Sequence, residues 1–343
     1  MKLKKLTKNR AYYECNDFIL NITSKGSIKH RIKEYITIFS YPIKNLFYKA
    51  LVNLMPQSEE KRKYKLVFCS IFKNEALFFK EWILYHNMLG VEHFYLYNNN
   101  STDDYKSVLE SFIKDGLVTL IDWPQIPGQI SAYKHWYEHF RKDTEWCSFI
   151  DLDEFICPKY DYTIIDWLDK YKKYPALKMD WVMFGSSGKM KHDKEKFVIE
   201  QYTNCWNKRV RIGKILYNCT YDIDKITNAS IHLLFTQKWF IKIPPFNDSK
   251  NICCKNGYEH VNRYRGSVQM NHYYCKSFDI LEEKISRGSA AYAKTWKKIE
   301  DYKFREMNCI QKDYTIQRFL QLLKITYKKW NLKHTPNVAE KWN

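Results

Sequence analysis

Acidic residues are in short supply. The chain of 343 residues carries 38 Asp/Glu against 57 Lys/Arg, a formal net charge of +19. That balance points to an anionic partner: nucleic acid, an acidic membrane surface or a phosphorylated substrate. The excess is uneven, with 15 Lys/Arg against 5 Asp/Glu in residues 1–65, which reads as a tail or surface patch. Metal-binding cysteine patterns are missing too. The ten cysteines include no CxxC pair and no Cys/His cluster at zinc spacing, and adjacent Cys253 and Cys254 are poorly placed to staple anything. They read as reduced thiols of a cytoplasmic protein. No apolar h-region follows the first lysines, which argues against a signal peptide. No run is apolar enough to span a bilayer, since Pro42, Lys44 and Lys49 interrupt Tyr35–Met55. That segment is amphipathic and basic. It suits either a helix lying on an anionic membrane surface or one packed on the main domain. Internal repeats, low-complexity stretches and recognised nucleic-acid motifs are absent as well.

What is present is a core-forming composition, 45% hydrophobic and 17% aromatic, and a regular alternation of elements. "KLVFCSIF" (Lys65–Phe72) is a buried strand, and "NEALFFKEWILYHNMLG" a helix stopped by Gly90. Strands follow at Val91–Asn98 and in "LVTLIDW", "WCSFIDLDEFI" and "ALKMDWVMFG". Helices are expected in "STDDYKSVLESFIKDG", "ISAYKHWYEHFRKD" and "TIIDWLDKYKKY". From Lys65 to Gly185 this is the pattern of an α/β fold with a mostly parallel sheet, which binds ligands at the carboxyl ends of its strands.

Asp151 and Asp153 fall at such an end. With "WCSFIDLDEFI" read as one strand, positions i and i+2 project to one face, roughly 6–7 Å apart. Two carboxylates so placed repel unless a cation separates them, and hard Mn²⁺ or Mg²⁺ suits oxygen ligands. The plainer reading is that the acids cap the next turn or pair with lysines. Glu154 either orients the pair or forms a salt bridge.

With "CSIFKNEALFFKEWILYHNMLGVEHFYLYNNNSTDD", "WCSFIDLDEFICP", "WVMFGSSG" and "MNHYYCKSFDILEEKISRG" in that order, the chain resembles the GT-A glycosyltransferases, and more closely glycosyltransferase family 92 (DUF23-type). The resemblance runs from about Leu66 to Gly288. It implies a GT-A fold: a Rossmann-like, mostly parallel sheet flanked by helices, over residues 64–290. A basic N-terminal extension (1–63) and a helical basic C-terminal extension (291–343) would flank it. It also implies a UDP-sugar donor and a divalent cation held by Asp151, Asp153 and His272. Donor contacts would come from Lys73, Asn74, Glu75, Asn99, Gln129, Asp151, Lys276, Arg287 and Gly288, with Ser101 and Ser277 close by. Inversion needs a base to deprotonate the acceptor hydroxyl; Asp193 and Asp180 are the candidates. His232 either lines the acceptor site or belongs to the core.

Two positions depart from the resemblance. Asn98 stands where related nucleotide loops carry an acid, and Lys189 where a His often follows "FGSSG". The expectation is a metal-dependent inverting transferase moving a hexose such as galactose to a glycan or lipid-linked acceptor in surface polysaccharide or lipopolysaccharide synthesis. It would work in the cytoplasm, at the inner face of the membrane, with no nucleic acid as partner. The competing expectations are a basic nucleic-acid-binding protein and a non-catalytic sugar-nucleotide-binding homologue. The C-terminal helical stretch would cover the site, mediate oligomerisation or touch the membrane.

Overall fold

The computed structural model describes residues 28–207, 210–221, 225–230, 233–238, 241–253, 266–288 and 299–334. His232 and residues 1–27 and 335–343 lie outside the described residues. The first described element, α1 (Ile28–Asn53), packs on the main body. Tyr41 donates its hydroxyl to the Ile252 carbonyl at 3.0 Å, Asn45 and Lys49 both bond Asn251, and Val52 is buried in the main core.

The alternation expected from Lys65 onward is present. β1 (Tyr64–Phe72), α2 (Ala76–Met88), β2 (His93–Asn98), α3 (Tyr105–Lys114), β3 (Val118–Asp122), α4 (Gln129–Phe140) and β4 (Thr144–Phe149) follow in sequence. The four strands are parallel in the order β3-β2-β1-β4. β1 is buried along seven consecutive residues because helices cover both its faces.

Beyond β4 lie β5 (Glu154–Pro158), α5 (Ile164–Leu168), β6 (Ala176–Met183), α6 (Val198–Gln201), β7 (Asn204–Cys205) and β8 (Val210–Asn218). β9 (Lys225–Ser230), β10 (Leu233–Lys238) and β11 (Ile241–Ile243) form a separate antiparallel sheet. β12 (Val268–His272), α7 (Phe278–Ser286), α8 (Ile299–Met307), β13 (Gln311–Lys312) and α9 (Leu320–His334) complete the chain. The main sheet reads β3-β2-β1-β4-β8-β6-β12-β5. It is mostly parallel, with antiparallel pairings only where β8 and β5 join their neighbours.

One expectation fails here. "WCSFIDLDEFI" is not one strand: β4 stops at Phe149, and β5 starts at Glu154 four places away across the sheet. The acids occupy the turn between them, so the same-face argument for positions i and i+2 does not apply.

β5 ends the sheet, and its outer edge would present unpaired backbone. α2 covers that edge with side-chain partners. Trp82 Nε1 donates to the Glu154 carbonyl and the Tyr85 hydroxyl to the Ile156 carbonyl, both at 2.9 Å, while the Ile156 N–H reaches His86 Nε2 at 3.3 Å. This edge therefore stays inside the molecule, and the acidic turn is fixed at its start.

Glu81, on the same helix, is buried and accepts the N–H groups of Val198 and Ile199 at the start of α6. Burial raises its carboxyl from 4.5 to about 7. A carboxyl raised on folding favours the native state while protonated, so its contribution fades as pH climbs from 4.5 through about 7. Glu81→Gln should flatten that limb, worth about 3 kcal/mol, in urea midpoints measured across that range.

The C-terminal stretch packs on the domain. α9 lies against α2 and α3, with Trp330 stacked on Phe112 at 4.2 Å and Lys333 paired with Asp115 at 2.6 Å. From α8, the Glu306 carboxylate accepts the Ser186 N–H at 2.9 Å and its hydroxyl at 2.7 Å. Neighbouring Gly185 has no room for a side chain, since a Cβ would stand 2.6 Å from Glu306 Oε2 and from Cys309 Sγ.

Candidate functional site

The carboxyl ends of β1 and β4, the start of β5 and the end of β12 meet at one corner of the sheet. In the acidic turn the Asp151 N–H donates to Glu154 Oε2 at 2.8 Å, and the Glu154 N–H to the Asp151 carbonyl at 3.0 Å. This closed turn sends the two aspartates apart. Asp151, one-third exposed, holds Lys214 of β8 at 3.0 Å, and the same ammonium stands 3.4 Å from Glu154. Lys214 and Glu154 are both buried. Burial pushes the Glu154 carboxyl well up, against the pull of Lys214. Burial works against the Lys214 charge, but Asp151 and Glu154 outweigh it and raise its pKa.

Asp153 turns the other way, into a buried cluster. One carboxylate oxygen pairs with Lys284 of α7, and the other lies 3.4 Å from His272 Nε2 at the end of β12. Burial alone would raise the Asp153 pKa, yet Lys284 and then His272 hold it well below the usual range. His272 is lowered by burial, so its ring is neutral, and its Nδ1 is buried without a hydrogen-bond partner. Lys284 also donates to the Tyr274 carbonyl at 3.1 Å.

The segment after β12 contributes two more cations. Lys276, at φ 50°, is buried over the Phe78 ring at 3.8 Å. Among the described residues no ion pair joins it directly to a carboxylate; burial lowers its pKa, against the pull of Glu75 and Asp153. Arg287, one turn past Lys284, forks onto the Asn74 carbonyl and the Glu75 carboxylate, and Gly288 follows at φ 81°. Glu75 keeps its second oxygen buried and unpartnered.

Asp153, His272, Glu75, Lys276 and Arg287 are thus brought together, with Asn74 as backbone partner. Asp151 sits beside them with its carboxylate on Lys214. Lys73 is half-buried at the end of β1. Asn99 is a strut: its amide donates to the carbonyls of Trp123 at 2.7 Å and Gln125 at 2.9 Å. Gln129 opens α4, bonds the Tyr133 hydroxyl at 3.1 Å and leaves Oε1 buried without a partner. Asn98 donates to the Asp122 carboxylate at 2.9 Å, so an acid does stand at this corner, supplied by β3. Ser101 accepts the Asn74 N–H, and Ser277 receives no capping bond from α7. Asp180 pairs with Lys178 at 2.8 Å on β6, and Asp193 is half-buried beside Lys196 at 3.5 Å.

Sequence reasoning missed two members of the site. Lys214 comes from a distant strand with no motif around it. Lys284 lies inside a matched block, three residues before Arg287, and that one-turn spacing on a helix was the available signal.

The sheet has the doubly wound order 3-2-1-4 with an acidic turn at its carboxyl edge, where such sheets bind ligands. The model of glycosyltransferase family 92 matches residues 64–319, three quarters of the chain. The chain belongs to that family. A family 92 protein of Oryza sativa subsp. japonica is 27% identical over 250 residues, covering 72% of this chain and 39% of its own length. One of Ricinus communis is 26% identical over 246 residues, with 70% and 41% covered. The chain spans about two fifths of the length of these curated relatives. Among solved structures, S. aureus TarS 1–349 is similar over 45% of this chain and 47% of its own, at 12% identity and a TM-score of 0.31.

Proposed function

We propose that this chain transfers a hexose from a UDP-sugar to a glycan or lipid-linked acceptor, with inversion, in surface polysaccharide assembly. The observation that carries the donor reading is Lys276: a buried ammonium with no carboxylate partner among the described residues, between Asp153 and the Glu75–Arg287 pair. A buried cation without a directly paired anion is costly, and a diphosphate would supply that anion. Arg287 adds a fork suited to a phosphate, and the adjacent Gly288 lets backbone approach closely. Gln129 Oε1 offers an acceptor for an N–H of the base, and Asp151 a half-open carboxylate for the ribose.

The donor set suits a divalent cation. His272 is neutral, so its ring nitrogen has a lone pair to give, and Asp153 stays ionised beside it. Among the described residues no three His, Cys, Asp or Glu form a metal-holding group. Asp153 and His272 are therefore the protein ligands we propose for Mn²⁺ or Mg²⁺, with Asp151 left to Lys214. When bound, such an ion supplies Lewis-acid stabilisation of the leaving diphosphate. The chain's own part is to grip the phosphates with Lys276 and Arg287 and to keep Asp153 charged through Lys284. Of the two candidate bases Asp193 is the more reachable, with its side chain 38% exposed against 13% for Asp180. Asp193→Asn should therefore slow transfer while leaving UDP affinity intact, and Asp180→Asn should chiefly lower Tm.

A panel of UDP-sugars assayed for nucleotide release, with and without EDTA, tests the reading. One UDP-hexose should be turned over, and EDTA should stop it. Release from none of them, with glycan and lipid acceptors supplied, would overturn the proposal.

A further inference from the structure

Among its described side chains, α1 meets the domain with one face. Tyr41, Asn45, Tyr48 and Val52, spaced by three or four residues, form the packed side. The opposite side carries Ile36, Phe39, Ile43, Leu46 and Phe47, again at helical spacing. Phe39 is 78% exposed, Ile43 73% and Leu46 71%. A folded domain rarely leaves so many large apolar side chains aligned in water, and such a stripe marks an interaction surface. Lys44 and Lys49 flank it along the helix, one on either side of the stripe. The surrounding sequence is the most basic of the chain, 15 Lys/Arg against 5 Asp/Glu in residues 1–65.

We propose that this outer face of α1 docks the protein on an anionic lipid bilayer, with the helix lying in the interface plane. The charge complementarity selects this occupant. Apolar side chains on the solvent face, aromatic rings at Phe39 and Phe47 and lysines on both flanks make an interfacial amphipathic helix. The exposed Lys44 stem runs along the apolar stripe and its ammonium group reaches lipid phosphates, while Lys49 is held by Asn251 on the domain side. Among the described residues no helix is long and apolar enough to cross a membrane. The inner face of α1 is held to the domain, and docking therefore also fixes the domain's orientation over the bilayer. This inference is independent of the transfer reaction.

Vesicle co-sedimentation of the full chain tests it, with phosphatidylcholine vesicles set against vesicles enriched in phosphatidylglycerol. The protein should sediment with the anionic vesicles and weaken as salt rises. Ile43→Ser with Leu46→Ser should lower partitioning roughly tenfold or more, at unchanged Tm because both side chains face water. Lys44→Gln should lower it roughly fivefold. Failure of the wild-type chain to bind anionic vesicles would overturn the proposal. So would full binding by the doubly substituted chain. A dimer in light scattering that this substitution splits, with no vesicle binding, would overturn it in favour of an interface between two copies.

Discussion

Asp153→Asn is expected to remove sugar transfer by roughly three orders of magnitude while leaving a folded protein. The asparagine matches the carboxylate in shape but not in charge. Lys284, its side chain 13% exposed, then faces Tyr274 with no anion, and His272 faces an amide in place of a carboxylate. Diphosphate binding should weaken as well, because the two ligands proposed for the divalent ion, Asp153 and His272, lose their one anionic member. The pH dependence has a definite sign. Asp153 is held well below the usual carboxylate range, so its contribution is complete above the ordinary aspartate pKa. It is lost only as pH falls through its own depressed value. Activity and Tm of the wild type should therefore be insensitive to this group at neutral pH. The check is steady-state nucleotide release beside a melting curve: a lost rate with a retained transition fits, and an unchanged rate does not.

Lys214→Met should cost about 3–5 kcal/mol of stability. Lys214 is the cation shared by Asp151 at 3.0 Å and Glu154 at 3.4 Å, and both Lys214 and Glu154 are buried. Methionine fills the space of the stem but strands the acids, one of them with an oxygen already unpartnered. The Glu154 carboxyl, raised by burial even with the lysine present, would rise further. A carboxyl raised on folding is tolerated while protonated and penalised as pH climbs through its folded pKa. Urea midpoints of variant and wild type should thus converge in acid and separate toward neutrality. Adding Glu154→Gln to Lys214→Met should recover much of the loss, because the buried charge is gone. Equal midpoints at neutral pH would show that the triad carries no such load.

Much of the fold was legible because local patterns and tertiary outcome agree. Strand–helix alternation from Lys65 gave four parallel strands in order, and Gly90 and Gly116 stop their helices at positive φ. The acidic turn was not legible. Trp146 to Ile156 is apolar enough to read as one strand, and what breaks it is a reciprocal bond between Asp151 and Glu154. The consequence for the site is direct: the aspartates diverge, each to its own lysine. Those lysines arrive from β8 and α7, about 60 and 130 residues further on, so no local pattern could pair them. His272, Lys276 and Arg287 were legible as members of one segment. That His272 meets Asp153 and Arg287 meets Asn74 and Glu75 depends on the antiparallel return of β12 beside β5. The helix in Tyr35–Met55 left two readings open, and its inner face is a packed one.

Titration calorimetry of UDP against the full chain in the presence of Mn²⁺ tests the central claim most directly. A single saturable site is predicted, weakened roughly tenfold or more by Arg287→Ala and by Lys276→Ala, each of which removes a charged phosphate contact. Heat no greater than dilution, or binding that both substitutions leave intact, would contradict the assignment of this corner as the donor site.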